Sequence, residues 1–229
     1  HDQGSRVPLA IRWPQGIKGP GRVFSNPVNL SDLAPTFLQA AGLEVPDMMT
    51  ATGLQDVIEN KSEITRLAAF IAMERHDGCR KGGKGYPSRA IRTKDYMYIL
   101  NHNPERWPAG NPDREFCARY IPFGEVDSSP TKSLIMDNKD KPGFKSFYEL
   151  AFAKRPSEEL YHLATDPGQI KNLAGKPKYA EMQKKLSTLL KQHLVSTQDP
   201  RALGLDALWD YYPYYGAMRN QNWKVDTRP

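Results

Sequence analysis

No run of about 18 consecutive apolar residues occurs in this 229-residue chain, so no membrane-spanning helix is expected. Only two cysteines are present, Cys79 and Cys117, and they make neither a C-x-x-C pair nor a zinc-ligand spacing. Two readings stay open for them: one disulfide in an oxidising compartment, or two buried thiols. The first residues, His1-Asp2-Gln3-Gly4, carry no basic start and no apolar h-region, so no signal peptide is expected there. Without an initiator Met, the visible start reads as cut or processed. Internal repeats and low-complexity tracts are lacking. So is any Asp/Asn cluster with calcium-loop spacing, and no metal site is expected from this chain alone. Charge is not one-sided: 32 basic and 26 acidic residues leave a net +6, with pI about 9.2. A basic balance points to a polyanionic partner: nucleic acid, a membrane surface or a sulfated glycan. The basic residues form no single stripe and no nucleic-acid motif accompanies them, which disfavours nucleic acid.

What is present begins with Arg6–Trp13, a short apolar segment between Gly4 and Pro14-Gln15-Gly16 that reads as a buried strand. After a Gly/Pro-rich loop, residues 31–42 read as a helix with Ser31 as N-cap, Pro35 near the first turn and Gly42 as stop. One strand cannot make a sheet, and no further strand–helix repeats follow. Residues 1–65 therefore read as the last strand–helix unit of a larger α/β domain whose other strands lie outside this chain.

The pattern then changes. Leu67–Met73 is an apolar run suited to a strand. Residues 89–100 read as an antiparallel hairpin turning at Lys94-Asp95. From the hairpin to residue 145 the chain reads as loop-rich. Glu158–Leu163 is a further short strand, closed by Asp166-Pro167-Gly168. Lys178–Val195 is the clearest helix, with Tyr179, Met182, Leu186, Leu189, Leu190 and Leu194 on one face. Residues 66–200 are thus an α+β subdomain: a small antiparallel sheet with a C-terminal helix. The tail 201–229, rich in Trp and Tyr, is expected to pack on the body because so many exposed rings would be an aggregation liability.

The candidate site lies where the first apolar strand ends. Glu74-Arg75-His76 is followed by a loop to Gly85 that carries Arg80, Lys81 and Lys84 among four glycines. Glycine lets backbone approach a ligand closely, and Arg and Lys can meet sulfate or carboxylate groups. The plainer alternative is a solvated basic loop with a structural His.

The order of motifs resembles the formylglycine-dependent sulfatases, members of the alkaline-phosphatase-like superfamily. Gly4–Pro14 (GSRVPLAIRWP) is similar to the family's G-x-R-V-P-L segment. Leu30–Gly42 is similar to its D-L-x-P-T helix, and Arg89–Tyr96 to its R-x-x-R-T hairpin. Glu159–Pro167 with Asn172-Leu173 is similar to its E-L-Y-D-L-x-x-D-P…N-L strand and turn. Glu74-Arg75-His76, Gly85–Arg89, Asn101–Pro108 and Asp127–Lys132 resemble heparan N-sulfatase (sulfamidase)-like proteins in particular. The resemblance implies the C-terminal part of a hydrolase of sulfate esters or N-sulfates on a sulfated sugar. It implies formylglycine as nucleophile and a calcium ion, both held by residues expected upstream of His1. By the same resemblance the protein is periplasmic, extracellular or lysosomal. Glu74, Arg75, His76, Arg80 and Lys84 are then substrate-binding candidates, with a sulfated glycan and the N-terminal sulfatase segment as partners. Ser128-Ser129-Pro130-Thr131-Lys132 is a near miss to the family's C/S-x-P-x-R nucleophile motif and reads as a Pro-containing turn. The isolated chain is expected to be inactive. Two alternatives are a related superfamily phosphohydrolase and a non-catalytic module that binds acidic glycans.

Overall fold

The computed structural model describes residues 1–60, 66–205 and 208–227. The expected boundary at residue 65, and four residues of the expected tail segment, lie outside the described residues.

Four strands form one sheet in the order β1-β2-β3-β4: β1 Ala68–Met73, β2 Ser88–Thr93, β3 Tyr96–Asn101 and β4 Glu158–His162. Antiparallel pairing shows in the bonds that continue the ladder. Tyr86 N–H donates to Glu74 O beyond the end of β1 and β2. Asn101 N–H donates to Ser157 O, and Leu163 N–H to Asp95 O, on either end of β3 and β4. The β2–β3 turn is tied by Thr93, whose Oγ1 donates to Tyr96 O and accepts from Tyr96 N–H. The expected small antiparallel sheet is therefore present, with strand ends within a residue or two of those read from the sequence.

The helices are α1 Asp2–Ser5, α2 Leu33–Ala40, α3 Gln55–Ile58, α4 Pro130–Asp137, α5 Pro142–Phe152 and α6 Ala180–Ser196. The expected helix over 31–42 appears as a 3-10 turn, Leu30–Asp32, running into α2. Its cap is Asn29 rather than Ser31, through a reciprocal capping box with Asp32. Asn29 also reaches β1: its Nδ2 donates to Phe70 O, and its Oδ1 accepts from Phe70 N–H. Gly42, at φ +70°, supplies the left-handed residue after the helix.

Three expectations differ from the structure. Arg6–Trp13 joins no ladder, and Val7, Leu9 and Ile11 are 54%, 39% and 40% exposed. A strand needs neighbours for its backbone groups, and the described residues bring none to that segment. The stretch 101–145, read as loop, contains α4. Ser129 caps it by accepting from Lys132 N–H, and Pro130 opens it, so a polar, proline-bearing sequence starts a helix here. On α6 the buried residues are Leu186, Leu190 and Leu194, while Leu189 is 40% exposed. The buried stripe follows i, i+4, i+8 and is narrower than the apolar pattern implies.

By compactness the described residues fall into two units, each built from three stretches of chain. One comprises 1–71, 90–98 and 160–197; the other comprises 72–89, 99–159 and 198–229. In the first, the ring of His193 stacks on Phe70, which joins α6 to β1. In the second, Ala109, Phe123 and Phe152 form an apolar cluster with Trp107, Val126, Ile135, Met136 and Tyr148 against it. The candidate site lies wholly in this second unit.

Candidate functional site

β1 ends at Met73 and delivers Glu74 into a network of charges. The Glu74 carboxylate accepts from Arg89 Nη2 at 2.7 Å and from Arg201 Nε at 2.7 Å and Nη2 at 2.5 Å. Arg89 also bonds Asp199 at 2.7 Å and is only 2% exposed. Burial alone would lower the Arg89 pKa, but hydrogen bonds to Asp199 and Glu74 outweigh it and raise it. Burial raises the Asp199 carboxyl, yet the bond from Arg89 prevails and holds it below the usual range. Beside these groups His102 is lowered, first by burial and then by the nearby Arg89 charge. Glu74 is thus a structural anchor at the root of the loop.

The loop itself is fastened from several sides. Arg75 donates from Nη1 to Gly83 O at 3.2 Å, and from Nη2 to Tyr212 O at 2.7 Å and Pro213 O at 3.2 Å. Asp77 accepts from Tyr214 Oη at 2.5 Å and pairs with Arg119. Gly85 N–H donates to Asp210 Oδ1, and Arg106 bridges Gly85 O and Asp210 Oδ2. Gly82 and Gly83 sit at φ +67° and +69°, a conformation that costs a side-chain-bearing residue energy. A Cβ on Gly82 would also stand 2.2 Å from an Asp226 carboxylate oxygen. Part of the aromatic tail meets the loop here. Trp223 is 5% exposed against Gly78 and Gly83, although Tyr215 is 91% exposed.

Arg80 is 2% exposed, and its guanidinium is spent inside the fold. Nε donates to Trp107 O at 2.7 Å, Nη2 to Pro108 O at 2.7 Å and Nη1 to Glu125 Oε1 at 2.8 Å. The second oxygen of Glu125 stands 2.7 Å from His76 Nδ1. A carboxylate only accepts, so Nδ1 carries the hydrogen and Nε2 is turned away from the pair. The His76 side chain is 72% exposed. Lys84 lies 4.1 Å from the Tyr211 ring centroid and 3.5 Å from Asp226 Oδ2, a cation held over an aromatic face.

The five sequence candidates therefore do sit in one loop, but in unlike roles. Glu74 and Arg80 are bonded into the scaffold. Arg75 and Lys84 pin the loop to the tail. His76 alone among the five presents most of its side chain to solvent, on a rigid support. Glu125, which provides that support, had no signal in the sequence: it is a lone acid in a stretch with no periodicity. Arg119 and Asp210 are likewise residues that sequence reasoning did not single out.

Elsewhere the near-motif at 128–132 has a structural explanation. Lys132 is buried, and its Nζ donates to Pro122 O, Phe123 O and Val126 O at 2.7–2.9 Å. Its ammonium fastens the start of α4 to the preceding turn. Among the described residues no three His, Cys, Asp or Glu side chains are placed to hold a metal ion. Among them, too, no helix is long and apolar enough to cross a membrane. A cavity of about 300 Å³ lined by Lys139, Asp140, Lys145, Tyr148 and Glu149 shares no residue with the 74–85 loop.

Comparison with known proteins gives a consistent likeness. Residues 1–108 match the family described as N-sulphoglucosamine sulphohydrolase, C-terminal. An ulvan-active sulfatase of Formosa agariphila is 28% identical over 185 residues, covering 81% of this chain and 32% of that protein. An N-acetylglucosamine-6-O-sulfatase of Bacteroides thetaiotaomicron is 25% identical over 196 residues, covering 84% of this chain and 25% of that protein. The chain thus spans a third or less of the length of these curated relatives. Among solved structures, one from work on glycosaminoglycan metabolism by Bacteroides thetaiotaomicron superposes with a TM-score of 0.51 at 20% identity. It covers 84% of this chain and 31% of that one, and it shows a shared fold.

Proposed function

We propose, from a chain that is recognised as kin to the C-terminal part of sulfatases, that it forms the substrate-recognition side of a sulfatase acting on a sulfated sugar of heparan type. The bond cleaved is a sulfate ester or an N-sulfate. The nucleophile, formylglycine, and the calcium ligands lie in sequence outside this chain, and the complete protein works in a periplasmic, extracellular or lysosomal space. No step of sulfate transfer is assigned to residues here.

The observation that carries this reading is the Arg80–Glu125–His76 chain. A buried guanidinium fixes a carboxylate, the carboxylate fixes an imidazole, and the imidazole offers Nε2 outward at the end of a strand. A side chain so held loses little rotamer freedom when it meets a sugar: as a neutral ring its Nε2 accepts from a hydroxyl, and as an imidazolium its Nε2–H donates to a carboxylate or sulfate oxygen, and preorganisation of this kind favours binding. The exposed apolar residues of the other unit, Val7, Leu9, Ile11 and Phe37 at 64%, support the view that 1–65 completes a larger sheet.

The test is kinetics on the complete protein with His76→Ala. A contact to a charged ligand group contributes roughly 1.5–3 kcal/mol where water is excluded. kcat/KM on the sulfated glycan should therefore fall tenfold or more, with a smaller fall on a small aryl sulfate. Equal, small effects on both substrates at unchanged stability would return the loop to a purely structural role.

A further inference from the structure

We propose that Cys79 and Cys117 form a disulfide that ties the 74–85 loop to the 114–120 turn. Nothing in the functional reading above is needed for this inference. Both residues are 0% exposed free thiols in the structure, and they flank a single peptide–peptide hydrogen bond. Gly78 O accepts from Ala118 N–H at 2.7 Å, so the peptide before Cys79 faces the peptide after Cys117. A Cβ built on Gly124 would stand 2.7 Å from Cys117 Sγ, 2.7 Å from Cys79 Cβ and 3.8 Å from Cys79 Sγ. The two sulfurs are therefore no farther apart than the sum of 2.7 and 3.8 Å. Cys117 Sγ is likewise within twice 2.7 Å of Cys79 Cβ. A rotamer change about one Cα–Cβ bond carries a sulfur by about 3 Å, so closing the gap needs side-chain rotation on backbones already in register.

The surroundings suit a bridge better than a reactive thiol. Gly110 and Gly124 press on the pair: a Cβ on Gly110 would stand 2.8 Å from Cys79 Sγ. Burial pushes the Cys79 thiol well above its ordinary range, against the lowering influence of Arg80, so the folded chain holds no ready thiolate there. The bond must then form before the loops close. One thiolate attacks a sulfur of a small-molecule disulfide such as oxidised glutathione and displaces one reduced thiol. The second cysteine thiolate attacks the mixed disulfide and releases the other thiol. The two cysteines lose two protons and two electrons, and the glutathione disulfide is reduced to two thiols.

The experiment uses the complete protein, made in an oxidising compartment or refolded in a glutathione redox buffer. It is alkylated in denaturant and digested with trypsin without reduction. The expected result is one linked species joining residues 76–80 to 115–119, lost on reduction, with neither cysteine alkylated beforehand. Recovery of either peptide as an alkylated free thiol, or its linkage to another cysteine, would overturn the proposal. A Cys79→Ala/Cys117→Ala protein should unfold at the same temperature with and without dithiothreitol, whereas the unsubstituted protein should lose Tm when reduced. If the double variant fails to fold, the peptide map of the unsubstituted protein still decides.

Discussion

Truncating Arg80 distinguishes a loop-building role from a ligand-binding one. Arg80→Ala removes a guanidinium that is 2% exposed and leaves three groups behind: the carbonyls of Trp107 and Pro108 and one oxygen of Glu125. Breaking a buried ion pair by removing one partner costs about 3–5 kcal/mol, because the other charge stays in a poorly solvated place. Glu125 is 12% exposed and keeps His76 as a partner, which limits the loss on that side. The two carbonyls lie against buried surface, and each loses a charge-assisted bond. The expected loss is therefore about 3–5 kcal/mol, or a fall in Tm of roughly 6–20 °C for a chain of this length. Arg80→Lys keeps a charge but has no planar fork to reach all three acceptors, so it should lose about 1–3 kcal/mol. Urea unfolding followed by Tyr and Trp emission measures the loss, and hydrogen exchange over residues 105–125 locates it. A stability change below about 1 kcal/mol in Arg80→Ala, with a selective fall in kcat/KM on the glycan, would refute the reasoning and make Arg80 a ligand contact.

Ser128→Ala should leave turnover by the complete protein unchanged within assay error, while Lys132→Met, which strips three buried carbonyls of their donor, should lower stability by about 2–4 kcal/mol; abolished activity in Ser128→Ala would contradict the structural explanation of that motif. Leu190→Ala, at 1% exposure, should cost about 2–5 kcal/mol, and Leu189→Ala, at 40%, much less; equal losses in chemical denaturation would show that α6 buries a different face. Because burial lowers the His102 pKa from 6.5, its contribution to stability is complete above that value and is lost as pH falls below it. Asp199, lowered from 3.8, contributes fully above that value and loses its contribution at still lower pH. His102→Asn should flatten the first phase of a Tm-against-pH profile, and a profile unchanged by the substitution would count against it.

Local chemistry made much of this fold legible. β2 and β3 are close in sequence and joined by Lys94-Asp95, so their pairing needs only a turn and two β-prone runs. The strand at 158–162 and the helix at 180–196 carry their own periodicity and stop signals. The loop 74–85 stood out as a candidate because charge and glycine are concentrated in it. What each of its charges does was not visible. Arg80 and His76 are both basic residues of one loop, yet one is spent on two carbonyls and the other is offered to solvent. Both also meet Glu125, 45 residues beyond Arg80 and 49 beyond His76, which no spacing rule brings to them. Arg6–Trp13 errs in the other direction: its composition suits a strand, but a strand exists only where neighbours supply its hydrogen bonds. Sequence by itself determined the elements whose hydrogen bonds and apolar contacts close over short separations. Tertiary structure decided which charges are buried against partners and which stay free, because burial and pairing depend on residues that meet only after the chain has folded.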